Sequence, residues 1–366
     1  MLASSAQISY SFAVKKILFL AAGWMMACAA QADPVDKLVK EQMAQHRIPG
    51  VALTVIQNAR RVKTGTYGFS NLELKTPVTP DTVFEIGSIT KQFTAACTLL
   101  LAQDGKLSVD DPVSRYLTNT PPSWSKITLR HLLTHTSGIK TYTSLDGFEL
   151  RRHLTQAQFI AKIGALPLDF PPGEKFAYCN TGFNLLGDVV ENVSGKNYWD
   201  FLRGRILAPL GMNATTSREP RNLIPNRANG YERDANGALV NRDYDLTDVF
   251  AAGAIVSTVG DLAKWDAALN SEKILSQASK QQMWSPTKLN NGSPHEYGFA
   301  WWLNPVQGHR RIGHTGETSG FTASFERFPD DKLSVIVLCN SGEGQTADNL
   351  AKAIAPLYFS KTVVKK

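Results

Sequence analysis

The chain has 366 residues, 43% of them apolar and 19% charged, with a formal net charge of +7. That is ordinary globular usage, enough for one large or two joined domains, and it excludes disordered and collagen-like classes. The positive charges are spread along the chain rather than gathered into a run, so no nucleic-acid footprint is visible.

In the first 32 residues only Lys15 and Lys16 are charged; the apolar run Ile17 to Ala30 follows, and Ala30-Gln31-Ala32 precedes Asp33. This pattern predicts a secretory signal peptide cut after Ala32, leaving a periplasmic or secreted product with no transmembrane anchor. Removing the two lysines lowers the charge from +7 to +5. A lipoprotein anchored at Cys28 is disfavoured, because Met25-Met26-Ala27 offers no branched residue upstream. No later stretch approaches about 18 uninterrupted apolar residues. Past the cut the cysteines are Cys97, Cys179 and Cys339, an odd number without zinc spacing, so at least one is a free thiol.

In chain order, Asp33 to Arg47 reads as an amphipathic helix, and Gly50 to Ile56 and Val62 to Phe69 as two strands joined by a turn through Gln57 to Arg61. Ile89 to Gln103 is apolar nearly all round and stops at Asp104-Gly105, which predicts a central buried helix. Residues 106 to 290 alternate helical stretches with loops at Thr118 to Ser125, Leu166 to Gly173 and Glu219 to Asn236. Strand patterning returns at Tyr297 to Leu303, Arg310 to Gly313, Phe321 to Phe328 and Leu333 to Cys339, with a turn at Pro329-Asp330-Asp331 and a last helix over Thr346 to Tyr358.

The early hairpin is too small to be stable alone and should pair with the late strands. The expected fold is α/β (α+β): an antiparallel sheet from 33–87 and 290–366, flanked by N- and C-terminal helices, with 88–289 inserted as a mainly helical subdomain of a single domain.

Ser-x-x-Lys occurs at Ser88/Lys91, Ser123/Lys126, Ser137/Lys140 and Ser285/Lys288, about what chance allows. Only Ser88 opens a long buried helix. There a serine sits in the positive end of the helix dipole among free backbone N–H groups, and Lys91 shares its face. A lysine of ordinary pKa is free base about once in 2,500 at pH 7, so its use as a base costs roughly 4.6 kcal/mol unless burial lowers the pKa. The plain alternative makes Ser88 an N-cap and Lys91 a solvated first-turn residue.

Two further motifs bear on that choice: Tyr178-Cys179-Asn180, the only Tyr-x-Asn in the chain, and His314-Thr315-Gly316 ahead of an expected strand. Together with Ser88-x-x-Lys91, in this order and at these separations, they resemble the serine β-lactamase and penicillin-binding protein superfamily, especially its class C-like, D-Ala-D-Ala carboxypeptidase-like and esterase branch. The resemblance extends to Leu132 to Gly138, Ala252 to Thr258 and Gly320-Phe321. It implies a β-lactamase/transpeptidase-like fold and an exported serine hydrolase with Ser88 as nucleophile, Lys91 as proton acceptor and Tyr178 as partner in proton transfer to the leaving group. It further implies that Asn180 holds substrate amide, that His314 replaces the lysine of a Lys-Thr-Gly motif, and that the N–H groups of Ser88 and Glu317 form the oxyanion hole.

No cofactor or metal is implied. His131 and His135 stand four apart but lack a catalytic glutamate or third ligand between or beside them, which favours structural or loop-positioning roles. Cys179 reads as a small neutral filler, and Trp301 and Trp302 as core or half-core aromatics. The substrate is a small molecule or peptide: a D-amino peptide, an ester or a β-lactam. A His-Thr-Gly third motif favours a carboxypeptidase-like peptidase or an esterase over a class C-like β-lactamase, and a non-turnover penicillin receptor is the reading from another class. Glu317 stands where a carboxypeptidase would place a small or hydroxylated residue. Pointing into the cleft, it would repel a terminal carboxylate by roughly 4 kcal/mol at 4 Å and an effective dielectric of 20; pointing away, it would decide nothing about the substrate.

Overall fold

The central element is a six-stranded antiparallel sheet that joins strands from residues 50–77 with strands from residues 312–339. Its strands are β1 (Gly50–Gln57), β2 (Arg60–Asn71), β3 (Thr76–Pro77), β4 (Ile312–Thr318), β5 (Phe321–Phe328) and β6 (Leu333–Cys339), in the spatial order β4-β5-β6-β1-β2-β3. The structure is a computed structural model describing residues 33–145, 154–242 and 244–359. The expected signal peptide and Cys28 lie outside the described residues. Among the described residues no helix is long and apolar enough to cross a membrane.

Strand β1 is buried on both faces, and its alternation assigns the two cores. Val51, Leu53 and Val55 join Val335 and Val337 of β6 beneath helix α1 (Pro34–His46) and the C-terminal helix, while Ala52 and Ile56 join Ile336 and Leu338 against the helical region. The register Val51↔Cys339 to Gln57↔Leu333 fixes this arrangement, because a one-residue slip would exchange the faces. At the first hairpin, Asn58 and Ala59 both have positive φ, so a two-residue turn suffices and the strands run further than their sequence pattern showed.

Helix α2 (Thr90–Gln103) is buried from Thr90 to Leu101 and is preceded by a 3-10 turn over Gly87–Ile89. Its packing partners include α3 (Asn180–Ser194), which ends at Gly195 in the left-handed conformation. Phe93 stacks on Trp265 at 4.8 Å.

Four expectations need correction. Tyr297 to Leu303 is not a strand: Ala300 has φ 65° and Gly298 N donates to Trp301 O, so the segment folds back and leaves only the bridges Tyr297↔Trp302 and Trp302↔Gly313. The next strand starts at Ile312 and continues to Thr318, so His314-Thr315-Gly316 lies within an edge strand rather than ahead of one. The stretch Glu219 to Asn236 includes a strand, Gly230–Arg233, paired with Leu239–Arg242 across a turn in which Asp234 accepts from Asn236 and Ala238. The last α-helix, α4 (Thr346–Ile354), stops short of Tyr358 and tightens into a 3-10 turn over Ala355–Leu357, where Pro356 supplies no N–H.

Candidate active site

Ser88 lies in the 3-10 turn at the head of α2, but its side chain makes no capping bond, and Lys91 is fully buried. Both observations count against the N-cap reading. Lys91 Nζ is 2.9 Å from Ser88 Oγ and donates to the Ala252 carbonyl at 2.7 Å. The amine also lies 4.8 Å from the Tyr178 ring centre and 5.6 Å from that of Phe183. Among the described residues no carboxylate forms an ion pair with it. Burial therefore holds its pKa well below the ordinary lysine value, with Cys179 acting in the opposite direction.

The other three Ser-x-x-Lys pairs are not assembled. Ser123 and Lys126 are exposed, Lys140 pairs with Asp169 while Ser137 accepts from Ile139 N, and Ser285 bonds to Gln281 O beside an exposed Lys288.

The Ser88 turn is held from behind by residues 252–258. Ile86 N donates to Ile255 O, Ile255 N to Thr90 Oγ1, and Ala252 N to Asn184 Oδ1 of α3. From the front it is met by the β4 edge. A Cβ on Gly316 would collide with the Ile86 carbonyl and come within 3.1 Å of Ser88 N; one on Gly87, whose φ is +49°, would lie 2.5 Å from Glu317 N. Two residues without side chains thus let the Ser88 and Glu317 backbones approach each other.

Tyr178 closes the third side. Its ring is half-buried and its hydroxyl is buried without an aligned hydrogen-bond partner. Burial pushes the phenol pKa up, and the nearby Ser88 hydroxyl opposes this. Tyr178 is placed by the segment His135 to Gly138, which laces the approach to α3: His135 O accepts from Ala177 N, His135 Nδ1 from Cys179 N at 3.0 Å, and Thr136 O from Gly173 N. Asn180 opens α3, its N–H on Thr141 Oγ1 and its Nδ2 on Thr143 Oγ1.

His314 is 2% exposed. Both ring nitrogens are engaged within the protein, Nε2 with Tyr297 Oη at 3.0 Å and Nδ1 with Thr315 O at 2.6 Å. Burial and the nearby Lys91 lower its pKa to about 3. It is a neutral ring in the wall, and it offers no cation to a substrate. Thr315 is half-buried, and Glu317 is exposed at the end of the edge strand, where partial burial and Glu232 raise its pKa.

Cys97, Cys179 and Cys339 are all free and buried. Among the described residues no group of three or more His, Cys, Asp or Glu is placed to hold a metal ion. His131 caps a short helix, Leu129–Leu133, through Thr128, and so has no share in the cleft. Three contributors escaped sequence reasoning: the Ala252 carbonyl, Asn184 and Tyr297. A main-chain carbonyl leaves no side-chain signal, and Tyr297 stood in a segment with strand-like composition.

The family model described as Beta-lactamase matches residues 35–358. A penicillin-binding protein of Bacillus subtilis strain 168 is 32% identical over 316 residues, covering 81% of this chain and 69% of that protein. Protein flp of Staphylococcus aureus is 28% identical over 84% of this chain, which spans 62% of flp. Among solved structures, the octameric penicillin-binding protein homologue from Pyrococcus abyssi superposes with a TM-score of 0.78 at 31% identity, covering 88% of this chain and 76% of that one. The D-amino acid amidase from Ochrobactrum anthropi, complexed with L-phenylalanine, gives 0.75 at 26% identity, covering 88% and 95%.

Proposed function

The chain belongs to the beta-lactamase family, whose members among its relatives are serine hydrolases and penicillin-binding proteins, and on that premise we propose that it is an exported amide or ester hydrolase working through an acyl-enzyme on Ser88. The contact that carries this reading is Lys91 Nζ, buried and, among the described residues, without a carboxylate partner, 2.9 Å from Ser88 Oγ.

The proposed reaction runs in these steps. As the free amine, Lys91 accepts the Ser88 proton while Oγ attacks the substrate carbonyl carbon. The carbonyl electron pair moves onto oxygen, where the N–H groups of Ser88 and Glu317 receive it. Tyr178, kept protonated by burial, gives its proton to the leaving nitrogen or oxygen and takes the one held by Lys91. Departure of that group leaves an ester on Ser88. Water then attacks the ester, giving up a proton along the reverse route, and the acid is released with Ser88 restored.

Two features support a neutral reacting end over a terminal carboxylate. His314 is neutral with both nitrogens occupied, so the cation of the Lys-Thr-Gly version has no counterpart there, and the exposed Glu317 carboxyl group stands near the end of the same strand. A carboxylate-ended D-Ala-D-Ala peptide is therefore a poorer candidate than a D-amino acid amide or a short-chain ester. The D-amino acid amidase likeness favours the same side.

Intact mass spectrometry tests the reading, using a D-amino acid amide, a nitrophenyl ester, a D-Ala-D-Ala peptide and a fluorescent penicillin. The expected result is a transient adduct on the Ser88 peptide and turnover of the amide or ester. An adduct on another serine refutes the site, release of D-alanine makes the protein a carboxypeptidase, and a lasting penicillin adduct without turnover makes it a receptor.

A further inference from the structure

Tyr297 is fully buried, with His135, Phe176 and Trp302 rings packed at 5.0, 5.3 and 4.8 Å. Its hydroxyl lies 3.1 Å from His135 Nε2 and 3.0 Å from His314 Nε2. These two histidines belong to opposite walls of the cleft, one in the loop that places Tyr178, the other in β4.

The proton positions along this chain follow from its two ends. Cys179 N is a donor, so His135 Nδ1 carries no proton and Nε2 must. That N–H donates to Tyr297 Oη, whose own proton then goes to His314 Nε2. At the far end the Thr315 carbonyl can only accept, so His314 Nδ1 carries the proton. Each donor meets one acceptor, and both rings are neutral with opposite tautomers.

We propose that Tyr297 is a positioning residue for the reaction at Ser88: its hydroxyl, held between His135 and His314, locks both imidazoles in fixed neutral tautomers and so ties the Tyr178–Asn180 segment to the edge of β4. Protonating or turning His135 would set an N–H against the Cys179 N–H, release that bond and free Tyr178 to move. Burial and Lys91 disfavour protonation of either ring, consistent with the geometry. The proposal rests on the acyl-enzyme reading, since it gives a purpose to the spacing between Tyr178 and the Glu317 N–H.

Tyr297→Phe deletes the hydroxyl and keeps the ring. With a nitrophenyl ester, kcat should fall about 10- to 100-fold with KM within about twofold, as for a small displacement of a proton-transfer group. The acid limb of its pH profile should move upward, because a His135 no longer held in one tautomer takes up a proton more readily. Nitrogen-15 NMR of the parent, assigned with His135→Asn and His314→Gln, should find one Nε2–H and one Nδ1–H imidazole, neither titrating between pH 5 and 8. Parent imidazoles that titrate near 6.5, or that share one tautomer, would overturn the proposal, as would Tyr297→Phe with unchanged kcat and pH profile. The spectra are also recorded in Ser88→Ala: turnover by that variant would sink the acyl-enzyme reading, whereas the tautomers answer for Tyr297 separately, even if Tyr297→Phe fails to fold.

Discussion

The Lys91 amine and the Ala252 carbonyl oxygen lie 2.7 Å apart in a fully buried site. That bond aims the amine at Ser88 Oγ without adding a negative charge that would hold it protonated. An aspartate in the same place would anchor Lys91 as firmly and would favour the ammonium form, which cannot accept the serine proton.

Lys91→Met should lose at least about 10³-fold in kcat, the scale of a removed general base. The same change should stabilise the fold by about 1 kcal/mol or more at pH 7. The sign follows from linkage: Lys91 has a lower pKa folded than unfolded, so between those values the unfolded chain binds more protons and parent stability rises with pH. The advantage of Lys91→Met should shrink as pH approaches the ordinary lysine pKa. Urea unfolding of both proteins at pH 7 and 9 checks this, and an unchanged difference would refute a neutral Lys91.

On the proposed mechanism, activity should rise with pH through a limb set by Lys91, because only the free amine can accept the Ser88 proton. That limb lies below the ordinary lysine range for the same reason of burial. His314, lowered to about 3, makes no contribution between pH 5 and 8. A limb that vanishes in His314→Gln would reassign it.

Gly316→Ala should lose most turnover and cost about 1–3 kcal/mol, because its Cβ meets the Ile86 carbonyl, which is backbone and cannot rotate away. Ester hydrolysis together with a thermal melt separates the two effects. Full activity would mean that β4 is free to retreat from the Ser88 turn.

Glu317→Gln should improve kcat/KM for a carboxylate-ended D-peptide by about tenfold relative to an amide, since Glu317 is partly solvated and its repulsion is screened. The ratio is measured by competing the two substrates. An unaltered ratio would mean that this side chain does not face the bound end.

Thiol reagents should leave native protein produced from Asp33 unlabelled at pH 7. Cys97, Cys179 and Cys339 are buried, and desolvation raises their pKa, to about 11 for Cys179 and about 12 for Cys339. Denaturation should expose all three. Rapid labelling of Cys179 in the folded state would show that the Tyr178–Asn180 segment opens.

Much of the fold was legible because its signals are local. Phe321–Phe328 and Leu333–Cys339 emerged at their final bounds, the first by its largely alternating apolar and polar residues, the second as a nearly continuous apolar run, with a turn between them. Tyr297 to Leu303 misled because its composition suits a strand, whereas its backbone conformation is set by contacts such as Phe299 N on Met283 O. The shift of β4 toward Thr318 has the same origin: an edge strand takes its limits from its partner β5.

Spacing ahead of a long apolar helix put Ser88 and Lys91 within one turn, and the family resemblance, carried by the order of three motifs along the chain, pointed to Tyr178, Asn180 and His314. What those groups can do was decided in three dimensions. Proton affinity depends on surroundings, and Lys91 meets Ala252 across 161 residues while His135 meets Tyr297 across 162. Periodicity reports which face of an element is apolar; it carries no record of which distant carbonyl or hydroxyl will receive a buried amine or imidazole once water has left.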